Sequence, residues 1–115
     1  MIGREQIEQI IAQYSKHGWK LRRVLLSGGL MQLSGTAEMF GDADILLSEL
    51  DAAWFTRSSR PGITAWELRH LSTAPYALVA NITEDIPPEE SEQLLKGVET
   101  KMIQTVSARK HDSSH

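Results

Sequence analysis

The sequence predicts an α+β domain: a small mixed or antiparallel sheet of four to five strands, with the N- and C-terminal helices packed on one of its faces. Three observations predict it. An apolar stripe of helical period opens the chain, a longer one closes it, and strand-like runs separated by turn residues lie between them. With 115 residues, 41% hydrophobic and 23% charged, the chain suits a single core that needs no covalent staple. The expected organisation is one domain over residues 1–110, followed by a disordered tail over 111–115.

In the first element, Ile7, Ile10, Ile11 and Tyr14 recur at the spacing that lines one helix face. Glu5 and Glu8 near its start and Lys16 and His17 at its end complement the helix dipole, and Gly18 supplies the terminating residue. The prediction is a helix over about 4–17. Trp19 to Ser27 then reads as a strand whose last residues, Val24, Leu25 and Leu26, are apolar at both parities. Gly28-Gly29 breaks it. Leu30, Leu33, Ala37 and Phe40 suit a short helix over 30–40, although a hairpin turning at Gly28-Gly29 competes with it. A second strand is expected over 43–49.

Arg60-Pro61-Gly62-Ile63 has proline and glycine in the order a type II turn requires. Trp54–Arg57 before it and Ile63–Leu71 after it make a hairpin. A turn at 72–75 leads to Tyr76–Ile82, completing a three-stranded meander. The last element starts at Pro87 or Pro88 and carries Leu94, Leu95, Val98, Met102, Ile103 and Val106 on one stripe. Glu89, Glu90 and Glu92 in its opening turns and Arg109, Lys110 and His111 at its close complement its dipole.

The same residues exclude several function classes. No cysteine is present, which removes disulfides and thiolate metal sites and fits a reducing, cytoplasmic setting. No apolar run reaches membrane-spanning length. The net charge of −3 argues against a nucleic-acid partner through Lys20, Arg22 and Arg23. The histidines at 17, 70, 111 and 115 lack metal-ligand spacing, and Ser27-Gly28-Gly29 lacks the lysine and hydroxyl of a phosphate loop. Asp42, Asp44 and Glu49 lack the glycine and terminal acid of a calcium loop. No catalytic residue, metal or cofactor is expected.

One cluster carries chemistry. Trp54, Phe55, Arg57, Arg60, Glu67 and Arg69 lie across the predicted hairpin, with Trp66 among them. Strand alternation separates Trp66 and Leu68 from Glu67 and Arg69. If Trp66 faces the helices, Glu67 and Arg69 point to the uncovered side. A core tryptophan backed by a ladder of charge pairs is the plainer interpretation; arginines beside aromatics also suit a partner surface or an anionic group. The expectation is therefore a non-enzymatic binding or assembly module that uses an open sheet face and forms a homodimer, with Glu67 of one copy meeting an arginine of the other. The alternative is a small enzyme or binder of an anionic metabolite at the arginine–aromatic cluster.

Overall fold

The computed structural model describes residues 3–32, 36–72 and 76–112. It confirms an α+β fold built on a mixed five-stranded sheet. Helix α1 spans Arg4–Lys16 and strand β1 spans Lys20–Leu26; the short helices α2 (Gly28–Met31) and α3 (Thr36–Phe40) lead to β2 (Asp44–Leu47). Strands β3 (Ala52–Arg60), β4 (Ile63–His70) and β5 (Ala77–Thr83) precede helix α4 (Pro88–Asp112). Of the expected tail over 111–115, His111 and Asp112 continue α4 instead, and 113–115 lie outside the described residues, as does most of the expected 72–75 turn.

Local chemistry sets the boundaries. The Gly3 N–H donates to Gln6 Oε1 at 3.0 Å, capping the start of α1. At its end, Trp19 N–H reaches the Tyr14 carbonyl at 3.0 Å and Gly18 N–H the Ser15 carbonyl at 3.1 Å. That paired closure needs a left-handed residue, and Gly18 has φ 85°. In the β3–β4 hairpin, Gly62 has φ 79°, which the position after Pro61 in a type II turn demands.

The strand order is β2-β1-β3-β4-β5. The three pairs β1–β3, β3–β4 and β4–β5 are antiparallel, whereas β1 and β2 run parallel. A parallel pair needs a crossover, and α2 and α3 supply it. Gly28 and Gly29 thus open a helical turn, and the competing hairpin is excluded.

The expectation that both terminal helices share one face is corrected. One core cluster joins Ile7 of α1 to Val24, Leu26, Ala53 and Phe55. The other joins Leu95 and Met102 of α4 to Leu25, Ala52, Trp54 and Leu68. Alternate residues of β1 and β3 therefore face different helices, and α1 and α4 sandwich the sheet. The physical reason lies in the apolar runs: strands that are apolar at both parities require cover on both sides. A β-bulge between Leu21 and Arg23 shifts the register against β3, so that Leu21 and Val24 both serve the α1 face.

Candidate functional site

The sheet register decides which of the candidate residues meet. Phe55 pairs with Glu67, Arg57 with Ala65 and Ala53 with Arg69, so Phe55, Arg57, Glu67 and Arg69 share the α1 face. Trp54 and Trp66 lie on the α4 face. Trp54 is a core residue at 0% exposure, its Nε1 donating to Glu99 Oε2 at 2.9 Å, and Trp66 meets it edge-on at 5.8 Å. Phe55 is equally buried, at 1% exposure. Neither Trp54 nor Phe55 is available to a partner. Trp66 does face a helix, but it is only half-buried.

Three of the four charged members of the cluster are satisfied within the chain. The Tyr14 hydroxyl donates to Glu67 Oε2, while its ring stacks on Phe55 at 4.0 Å and 13°. Arg57 lies 4.6 Å over the Trp19 ring and donates to the His17 carbonyl at 3.1 Å, fastening the end of α1 to β3. Arg69 is half-buried and donates to the His70 carbonyl. Arg60 is exposed at the hairpin turn. The cluster is thus mainly the joint between α1 and the sheet. Tyr14 and Trp19 complete it, and both belong to the sequence's first apolar segments rather than to its charged ones.

Burial pushes the Tyr14 phenol well above its usual range, helped by the hydrogen bond to Glu67 and by the charge of Glu67; Arg69 opposes the shift. A phenol whose folded value is raised stabilises fully below its unfolded value near ~10, and that stability is lost as pH rises through the folded value. Wild-type stability is therefore expected to fall more steeply above about pH 10 than that of Tyr14→Phe. Urea titrations of both proteins across alkaline pH check this, and parallel slopes would refute it.

No cluster of three or more histidine, cysteine, aspartate or glutamate side chains suited to a metal occurs among the described residues. Nor is any helix there long and apolar enough to cross a membrane.

At the far edge of the sheet lies β5. Among the described residues, strand β5 pairs with β4 on one side and with no strand on the other. Its residues, Ala77-Leu78-Val79-Ala80-Asn81-Ile82-Thr83, contain no charge and no proline. Val79 is 55% exposed. Above the opposite face, α4 orients itself by two acids: Glu92 pairs with Arg23 of β1, and Glu99 accepts from Trp54 of β3. At 100° per residue, Leu94 lies roughly 140–160° round the helix from both, on the flank toward β5. Leu94 is 45% exposed, and Val98 lies beside it on that flank. The uncharged run of β5 was visible in the sequence; its place at an edge was not.

The geometry defines a mixed-sheet α+β sandwich whose edge strand β5 has no further strand partner among the described residues. Compared with known proteins, the chain matches no family model, no curated protein and no solved structure.

Proposed function

We propose that the protein is a non-enzymatic assembly module that pairs with a second copy of itself along β5. The carrying observation is the edge itself. An exposed strand offers a row of free N–H and C=O groups, and monomers blunt such edges with charge, proline, bulges or shortness. β5 has none of these: it runs seven residues, pairs with β4 without a register shift, and carries no charged side chain. The opposite edge strand, β2, is four residues long and bears Asp44.

Antiparallel pairing of two β5 strands obeys a two-fold axis near the central Ala80 and makes a continuous ten-stranded sheet. The same axis brings the α4 flanks together, so Leu94 and Val98 cover the junction on one side and Val79 on the other. Strand pairing alone buries too little for a stable dimer, for which about 1,200–2,000 Å² is usual. The apolar flanks supply the remainder. Glu67 takes no part, because Tyr14 of its own chain holds it. A cysteine-free chain is consistent with a reducing, cytoplasmic setting for such a module.

Sedimentation equilibrium tests the reading. The wild type is expected to sediment at twice its 12.9 kDa mass at micromolar concentration. Val79→Lys and Leu94→Glu, both at exposed positions, are expected to weaken the dimer by ~10–100-fold each without loss of the fold. A 12.9 kDa monomer throughout that range overturns the reading. So does a dimer that survives both substitutions and dissociates instead with Leu47→Lys on β2.

A further inference from the structure

We infer that a groove on the α4 face binds a small phosphorylated molecule bearing a flat ring, of the chemical class of a mononucleotide. The groove encloses about 490 Å³ where α4 leaves the hairpin end of the sheet uncovered. That volume lies within the usual range for small-molecule sites. Its floor is Thr56, Ser58 and Thr64 with Trp66; Lys20, Arg22 and Arg57 line it, and so does Glu84.

Three features separate this groove from an ordinary solvated face. First, it gathers positive charge on a chain of net charge −3: Lys20 and Arg22 line it beside one carboxylate, with Arg57 at its margin turned to Trp19 and the His17 carbonyl. Nearby Arg23 is neutralised by Glu92, but Lys20 and Arg22 form no ion pair among the described residues. Second, the bulge beside Arg22 breaks strand alternation at that residue. Arg23 comes to pair with Trp54 and Lys20 with Thr56, both on the α4 face, and Arg22 lines the same groove between them. Bulges are one of the ways a strand re-aims a side chain at a binding site. Third, Trp66 is held by Arg23 at 5.4 Å and by the Trp54 ring, yet its indole N–H has no acceptor among the described residues.

The donor set selects the ligand. The Arg22 guanidinium and the Lys20 ammonium, both lining the groove, match a phosphate, whose several oxygens accept charge-assisted hydrogen bonds. The hydroxyl-bearing floor adds donors, the indole edge lies where a flat ring can pack, and the Glu84 carboxylate accepts from sugar hydroxyls or a ring amine. A bare anion would leave Trp66 and Glu84 unused.

Titration with adenosine monophosphate, followed by tryptophan fluorescence and by calorimetry, tests the inference. Binding is expected at a Kd of ~0.1–1 mM, as suits a shallow site, with adenosine and inorganic phosphate each at least ~10-fold weaker. Lys20→Ala and Arg22→Ala are each expected to weaken it ~5–10-fold. Arg4→Ala, on α1 at the opposite face, is expected to leave it unchanged. No saturable response to adenosine monophosphate up to about 10 mM overturns the inference. Binding unaffected by Arg22→Ala, or inorganic phosphate bound as tightly as the nucleotide, also overturns it. A single-stranded oligonucleotide bound more than ~100-fold tighter than the mononucleotide overturns it in favour of a nucleic-acid surface.

Discussion

Trp54→Ala is expected to destabilise the fold by ~3–5 kcal/mol, the range for a large aromatic removed from a closed core. Trp54 is wholly buried between Leu25, Leu68, Leu95 and Met102, and it binds Glu99 of α4 through its indole nitrogen. Its removal leaves a cavity at the centre of the α4 interface and frees a partly buried carboxylate from its partner, so two costs add. Trp66→Ala should cost less, ~1–2 kcal/mol, because Trp66 borders that core and is only half-buried. Guanidinium denaturation of the two variants decides the order. A larger loss at Trp66 than at Trp54 would show that the core centre has been assigned to the wrong tryptophan.

Phe55→Ala is expected to cost a similar ~3–5 kcal/mol, through the other core. Phe55 sits one residue along β3 from Trp54, yet it packs under α1, where its ring stacks on Tyr14. This variant carries a second readout. Burial is the leading cause of the raised Tyr14 phenol, so opening the space beneath its ring should bring that phenol back toward its ordinary range. Alkaline ultraviolet titration of Phe55→Ala should show one tyrosine ionising at lower pH than in the wild type. An unchanged titration, with stability lost, would mean that Glu67 and not burial controls Tyr14.

The sequence-based reading and the structure agree where local chemistry suffices. The stripe of Ile7, Ile10, Ile11 and Tyr14 and the stop at Gly18 define α1 because helix period and capping act within a few residues. Pro61-Gly62 defines the β3–β4 hairpin because only a glycine there adopts φ 79° without strain. The parity that separates Trp66 from Glu67 and Arg69 was likewise legible, since it is a property of any strand. The candidate cluster was legible as a group of residues but not as a site. Arg57 and Glu67 are chemically suited to a partner; that Trp19 and Tyr14 of the same chain satisfy them depends on how α1 folds back across the sheet.

By itself the sequence determined which segments outside 30–40 are helix and which are strand, that the meander runs β3-β4-β5, and that both ends of the chain have an apolar face to bury. Only the tertiary structure decided on which side of the sheet each end is buried. The apolar residues at both parities of Val24–Leu26 demanded two covered faces, but a periodicity does not say which helix covers which. It also decided that β5 is an edge, because strand order follows from the parallel insertion of β2 beside β1 rather than from any residue of β5. The bulge that directs Arg22 and Arg23 toward the α4 face is of the same kind. It resolves a mismatch between two strands, and a mismatch between strands exists only once they are paired.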